Sequence, residues 1–179
     1  MKRIWMILLL IVGCATSSAP PQYTLRHPDM NYLEFLSRAD AKVAGKFPQW
    51  YVKDISRELD FEEQNGMFAS VEKQEDGTFV MYIYEGSWDL CTVEDLALVL
   101  LHEYVHAKIW DSLEEMPNEL CREVIHELTA YGVELNQTKI KGTSAMRYGT
   151  RLGYDYNYAL AQSYCSEELI KDFPKPEAH

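Results

Sequence analysis

Two histidines and a glutamate near the middle of the chain have a spacing suited to metal chemistry. The segment His102-Glu103-Tyr104-Val105-His106 is an H-E-x-x-H pattern. On a helix, the two histidines lie one turn apart on one face, where both imidazoles can bind a single Zn²⁺ ion. Glu103 projects about 100° around the helix from His102. That direction suits proton abstraction from a metal-bound water better than it suits metal binding.

The helix that must position these side chains is predicted over residues 92–110. Thr92 is a suitable N-cap residue, and Asp95 stands three positions later, where a capping-box acid is expected. From Leu96 onward the segment is apolar on nearly every face, which predicts a buried helix. Two histidines and an acid are costly on a buried helix unless something pairs them. The pattern therefore favours a metal site over an accidental match.

A third metal ligand is expected from the next predicted helix, residues 119–138, which Asn118 can cap. Glu119, Glu123 and Glu127 recur every four residues along one face of this helix, an arrangement that mildly destabilises an exposed helix. Catalytic zinc sites of this kind have three protein ligands and one open position. Glu127, which is embedded among apolar residues, is therefore a natural third ligand.

The order of these residues carries a family resemblance. His102-Glu103-x-x-His106 followed by Glu127-x-x-Ala130 resembles the gluzincin metallopeptidases, zincins whose third zinc ligand is a glutamate on a second helix. The resemblance implies that His102, His106 and Glu127 bind Zn²⁺ and that Glu103 is the catalytic base. It implies a zinc-dependent hydrolase, and specifically a peptidase. The small Ala130 would allow the two helices to approach closely.

Other assignments of the site stay open at this point. Glu123 is the competing third ligand, in which case Glu127 would orient a histidine from behind. His126 is another candidate, either as a ligand or as a group that stabilises the transition state. Peptide hydrolysis also needs a hydrogen-bond donor for the developing oxyanion. The tyrosines that could supply it are Tyr131, Tyr148, Tyr154 and Tyr156.

The N-terminal residues resemble an export signal. Lys2 and Arg3 precede an apolar run over residues 4–12, which is too short to span a bilayer and is typical of a signal peptide. Residues 11–14, Ile-Val-Gly-Cys, resemble a bacterial lipobox. This resemblance implies cleavage after residue 13 and lipidation of Cys14.

The predicted location follows from that lipid. Residues 14–28 are small, polar and proline-bearing, and are predicted to form a lipidated tether. The protein is then secreted and anchored to a bacterial membrane, and Ala15 after the cysteine resembles outer-membrane sorting. An ordinary signal peptide, cut after Ala15 or Ala19, is the alternative.

Charge limits the choice of partners. The chain has 28 acidic and 17 basic residues and a net charge of −11, which argues against nucleic acid as a partner.

We expect a peptide or an envelope protein as substrate, with membrane attachment through the N-terminal lipid. The alternative from another class is an envelope-binding or scaffolding lipoprotein with a structural or vestigial metal.

Residues 29–174 are predicted to form one domain, followed by a tail over 175–179. The predicted fold is α+β and mostly helical, and the resemblance implies a small zincin-like domain with a hairpin beside the H-E-x-x-H helix. Two further helices are predicted over 30–44, with Asp29 as N-cap, and over 49–64. Strands are predicted over 68–71 and 78–84, joined by a turn at Glu75-Asp76-Gly77. A loop is predicted over 111–117, and a helical segment over 143–173 that is broken near Gly149 or Gly153.

The edge of the hairpin has two open interpretations. It can pair with an extended peptide and lay that peptide across the metal, or it can simply pack on the helix.

The cysteines allow at most one internal disulfide once Cys14 is lipidated. If the two site helices are antiparallel, Cys91 and Cys121 lie roughly 27 Å apart, whereas a disulfide needs Cα atoms within about 7 Å. A C-terminal helix that folds back would bring Cys165 to Cys121, so this pair is the favoured one. The alternative is that all three cysteines stay reduced.

Overall fold

Helices dominate the computed structural model, which describes residues 30–60 and 67–176. Within these ranges there are six helices and three strands, in the mostly helical α+β arrangement that the sequence predicts. The elements are α1 (Tyr32–Lys46), β1 (Ser56–Asp60), β2 (Ala69–Lys73), β3 (Phe79–Tyr84), α2 (Glu85–Leu90), α3 (Val93–Glu114), α4 (Glu119–Asn136), α5 (Ser144–Tyr164) and α6 (Glu167–Ile170). The predicted signal peptide, Cys14 and the tether lie outside the described residues.

Helix α3 begins as its capping signal predicts. The Thr92 hydroxyl accepts the Asp95 N–H, while the Asp95 carboxylate accepts the Thr92 N–H, which completes the capping box. The other carboxylate oxygen of Asp95 accepts the N–H of Thr143 at 2.7 Å, immediately before α5. From Asp95 to Ala107 every residue of α3 is buried. The helix is therefore the centre of the core.

The end of α3 differs from the prediction. The helix continues to Glu114, so the expected loop over 111–117 is wrong for its first four residues. Residues 111–114, Asp-Ser-Leu-Glu, include no helix breaker, and Lys73 of β2 bonds the carboxylates of Asp111 and Glu114. The acidic character that suggested a loop instead serves to join α3 to the sheet.

The predicted hairpin is present as β2 and β3. These strands pair antiparallel, from Ala69 opposite Ile83 to Lys73 opposite Phe79. Gly77 in the connecting turn has φ of 84°, a conformation that glycine adopts without the steric cost of a Cβ atom. The turn prediction at residues 75–77 is thus confirmed.

The second predicted helix, over residues 49–64, is wrong for residues 49–60, and its last four residues lie outside the described part of the chain. Residues 47–50 make a turn, and residues 56–60 form β1, which pairs parallel to β3 to give the strand order β1-β3-β2. The segment Ser-Arg-Glu-Leu-Asp has little intrinsic preference for a strand, so its pairing with β3 overrides the local pattern. Arg57 contributes to this by bonding the Tyr104 hydroxyl of α3 and the Asp40 carboxylate of α1.

Other helix boundaries also differ in detail. Asn31, rather than the predicted Asp29, caps α1 through its side chain, and the short α2 was not predicted. Helix α5 runs unbroken through Gly149 and Gly153, and the chain leaves it only at Cys165. Gly153 has a packing role, because a Cβ atom there would lie 2.7 Å from Cε1 of Tyr131.

Two apolar clusters fill the interior. The larger one surrounds α3, with α1 on one side and the sheet on another, and it includes Phe35, Met81 and Leu100. The smaller one lies between α4 and α5 and includes Leu128, Tyr154 and Tyr158. Helix α3 is in contact with α1, β2 and α4, and α4 is in contact with α5.

The structure joins Cys121 to Cys165 in a disulfide, the pair that the sequence analysis favours, with Cα atoms 5.1 Å apart. It connects the start of α4 to the end of α5, so the two helices are antiparallel. Cys91 is a free, buried cysteine. Among the described residues, no helix combines the length and the apolar character that crossing a bilayer requires.

Candidate metal centre

Helices α3 and α4 bring His102, His106 and Glu127 together. Nε2 of His102 lies 3.4 Å from one oxygen of Glu127, and Nε2 of His106 lies 3.5 Å from the other. One potential ligand atom from each residue lies within 4.8 Å of the others, and all three residues are buried. For comparison, two ligand atoms bound to the same tetrahedral zinc ion are about 3.3 Å apart. These three side chains form a group that could hold a metal ion.

Unpaired polar atoms support this interpretation. Nε2 of His102 and Oε2 of Glu127 are buried and make no hydrogen bond. A buried polar atom without a partner costs about 1–3 kcal/mol, and such atoms are rare in native proteins. A cation between them would satisfy both atoms at once. The donor set of two imidazoles and one carboxylate is one that divalent zinc accepts.

Glu103 lies beside this group, against the sheet. Its carboxylate accepts the backbone N–H of Val71 in β2, while Oε1 is buried without a partner. Burial is the main cause that raises the pKa of Glu103 to about 8; His102 and the Val71 N–H oppose the rise, and the charges of Glu127 and Glu134 add to it. An unpaired carboxyl oxygen next to three candidate ligands is a group available for proton transfer.

Glu134 supports His102 from the side away from Glu127. Nδ1 of His102 lies 2.5 Å from Oε1 of Glu134, and Oε2 of Glu134 accepts the hydroxyl of Thr150 at 2.9 Å. Burial lowers the pKa of His102, but the carboxylates of Glu127 and Glu134 outweigh it and hold that pKa well above its usual value. Such a carboxylate fixes the orientation of a metal-binding histidine and leaves Nε2 for the metal.

Glu134 and Thr150 are two residues of the site that the sequence motifs do not predict. Glu134 stands seven residues after Glu127, two turns along the same face of α4. The seven-residue spacing, which returns to the same face of a helix after two turns, is the sequence signal that points to Glu134. Thr150 carries no comparable signal, because its role depends on the way α5 packs against α4.

His126 lies on the other side of His106. The Nδ1 atoms of the two residues are 3.4 Å apart, and the His126 ring packs edge-on near Trp110 with a centroid distance of 5.6 Å. Burial, with a smaller effect from Arg122, lowers the pKa of His126 to about 4. Since His126 contacts the nitrogen of His106 that faces away from Glu127, this geometry does not favour His126 as the third ligand.

Glu123, the competing third ligand, is half-buried and lies outside the group formed by His102, His106 and Glu127. It stands one helical turn before Glu127, toward the start of α4. The arrangement therefore favours Glu127.

Among the four candidate tyrosines, only Tyr131 lies beside the candidate metal-binding residues. Its ring packs edge-on against His102 with a centroid distance of 4.6 Å. Burial, followed by the nearby carboxylates, raises its pKa. Tyr148 and Tyr156 are 66% and 58% exposed, and the Tyr154 hydroxyl donates to the Pro174 carbonyl.

Comparison of the chain with protein-family models, with curated proteins and with solved structures gave no match. The resemblance to the gluzincins therefore rests on the two sequence motifs alone.

Proposed function

We propose that the protein is a zinc-dependent hydrolase, a peptidase that acts in the bacterial cell envelope. The observation that carries this proposal is the convergence of His102, His106 and Glu127 in one buried group, with the unpaired Glu103 carboxyl beside it. The H-E-x-x-H…E pattern in the sequence supports the same assignment.

The metal would be held by the two Nε2 atoms and the Glu127 carboxylate. When bound, zinc polarises a scissile carbonyl and lowers the pKa of a coordinated water toward about 7. Glu134 orients His102 for this role through the hydrogen bond to Nδ1. The protein contributes three ligands, which is the number typical of catalytic zinc sites.

Glu103 is the general base in this proposal. Positive charge close to a carboxyl group lowers its pKa, so the loaded centre favours the ionised form of Glu103. The carboxylate then takes the proton of the attacking water and passes it to the leaving amine. The hydrogen bond from the Val71 N–H holds this carboxylate at the edge of β2.

Strand β2 offers a way to bind an extended substrate. Hydrogen bonds between Phe68 and Tyr84 and between Gln74 and Thr78 fix the register of the hairpin. In this register the backbone groups of Ala69, Val71 and Lys73 point away from β3. Strand β2 is at the edge of the described sheet and contacts α3. Because Glu103 already accepts the Val71 N–H, a peptide that paired with β2 through Ala69 and Lys73 would run beside Glu103.

A second function is favoured by one observation. The three metal-binding candidates are each at most 8% exposed, as expected of a closed structural metal site. In that case the protein would be an envelope-binding or scaffolding lipoprotein, and Glu103 would have no catalytic role.

Metal analysis and one conservative variant distinguish the two functions. The protein would be purified without chelator, its zinc content measured, and the wild type compared with Glu103→Gln on a library of basic and neutral peptides. We expect about one zinc per chain in both proteins and cleavage only by the wild type. Absence of zinc that cannot be restored would overturn the proposal. Zinc binding without any cleavage that depends on Glu103 would support the scaffold function.

A further inference from the structure

The two candidate metal-binding histidines are supported by different groups. Nδ1 of His102 faces the carboxylate of Glu134, whereas Nδ1 of His106 faces Nδ1 of His126 at 3.4 Å. Both His106 and His126 are buried, at 5% and 2% exposure. A hydrogen bond between two imidazoles requires that one nitrogen donate and the other accept.

The position of Glu127 determines which nitrogen donates. Nε2 of His106 faces Oε1 of Glu127 at 3.5 Å, so Nε2 is the atom available to a metal. A neutral imidazole that binds through Nε2 carries its proton on Nδ1. That proton points at His126, whose Nδ1 must then accept, and the proton of His126 must lie on Nε2.

We propose that His126 is a positioning residue that holds His106 in the tautomer and orientation needed for binding zinc through Nε2. This inference rests on the proposed zinc site. His126 itself does not touch the metal. Its function parallels that of Glu134 on His102, but it uses a neutral acceptor instead of an anion.

The local packing shows how His126 is held. It lies on α4 directly before Glu127. The same turn of α4 therefore carries the candidate ligand Glu127 and the residue that contacts His106. Trp110, one helical turn after His106 on α3, packs against the His126 ring. The rings of His106, His126 and Trp110 thus follow one another across the two helices, with the His126 ring tilted 38° to that of His106 and edge-on to that of Trp110.

Zinc affinity in matched variants tests the proposal. His126→Leu removes the acceptor, whereas His126→Asn keeps a carbonyl oxygen near the position of Nδ1. Trp110→Phe disturbs the packing around His126 but leaves its hydrogen bond in place. Affinity would be measured by competition with a chromophoric chelator, after circular dichroism has shown that each variant is folded.

We expect His126→Leu to bind zinc about 10–100-fold more weakly than the wild type, the range typical of lost support behind a ligand. His126→Asn should recover most of this loss, and Trp110→Phe should match the wild type. The inference is overturned if His126→Leu binds zinc as tightly as the wild type, or if His126→Asn is no better than His126→Leu. Equal weakening by Trp110→Phe would assign the effect to packing and would also overturn it.

Nitrogen-15 NMR of the wild type tests the tautomers directly and needs no variant. In the zinc-loaded protein, we expect the proton of His106 on Nδ1 and the proton of His126 on Nε2. A proton on Nδ1 of His126 would contradict the proposal. These measurements do not depend on cleavage, so the inference can fail while zinc binding and hydrolysis stand. If hydrolysis is absent but zinc binds, the same measurements still apply.

Discussion

Glu134 accepts a hydrogen bond from Nδ1 of His102 at 2.5 Å, although the two residues are 32 positions apart in the chain. The contact is possible because α3 and α4 pack antiparallel, with His102 level with the last turns of α4. A second bond from Thr150 of α5 fixes the same carboxylate. The orientation of one candidate ligand thus depends on three helices.

Replacing Glu134 by Gln should weaken zinc binding about 10–100-fold. The amide has the same shape as the carboxyl but carries no negative charge to polarise the His102 ring. Chelator competition would measure the change. Glu123→Gln is the matched control, because Glu123 lies on the same helix outside the metal-binding group, and its affinity should equal that of the wild type. Similar affinities for both variants would show that Glu134 does not support the site.

Single alanine substitutions should identify the ligands. We expect His102→Ala, His106→Ala and Glu127→Ala to lose stoichiometric zinc, because each leaves only two of the three ligands. Glu123→Ala should keep the metal, as its carboxylate lies outside the group. Metal content after dialysis would be measured by atomic emission. Retention of tight zinc by Glu127→Ala, together with its loss in Glu123→Ala, would reassign the third ligand.

The two glycines of α5 should respond oppositely to alanine. A Cβ at Gly153 would overlap the Tyr131 ring, whereas at Gly149 it would meet nothing within 4 Å. We expect Gly153→Ala to lower the free energy of unfolding by about 1–3 kcal/mol and Gly149→Ala to raise it by about 0.5–1 kcal/mol. Thermal denaturation of the metal-free proteins would show both changes.

Because Tyr131 packs on His102, Gly153→Ala should also reduce zinc affinity, and Gly149→Ala should not. A stable Gly153→Ala variant with unaltered zinc affinity would disprove the close fit between α5 and Tyr131.

Reduction of the disulfide should destabilise the domain without removing the fold. The Cys121–Cys165 bond closes a loop with a sequence separation of 44, and disulfides of this kind stabilise by about 2–4 kcal/mol. The melting temperature of the wild type should fall on addition of a reductant, whereas that of the Cys121→Ser, Cys165→Ser double variant should be low and insensitive to it. Cys91→Ala should retain the response to reductant. A wild-type melting temperature that reductant does not change would argue against the bond.

Local signals explain which parts of the fold were predictable. The start of α3 follows from Thr92 and Asp95, which interact within one turn, and the H-E-x-x-H spacing places both histidines on one face regardless of the rest of the chain. Strand β1 could not be recognised, because Arg57 and its neighbours gain their stability from residues on β3, α1 and α3. Long-range pairing of this kind leaves no periodic trace in the sequence.

The same distinction applies within the site. His102, His106 and Glu127 belong to motifs with regular spacing, and the structure brings them together. The contribution of Thr150 depends on the packing of α5, which Gly153 permits by its lack of a side chain. The sequence predicts a helix break near Gly149 or Gly153, because it does not show that the Tyr131 ring lies against Gly153 within a continuous helix.

The Asp95 carboxylate has a consequence for how the domain opens. One oxygen completes the cap of α3, and the other holds the Thr143 N–H at the start of α5. Two helix ends that are 48 positions apart thus share a single acceptor group. Fraying at the start of α3 or of α5 frees the Asp95 carboxylate from its bonds at both helix ends. The amide protons at the two helix starts should therefore exchange with solvent through one common opening. Helices α3 and α5, which flank α4 in the chain, would then belong to the same cooperative unit.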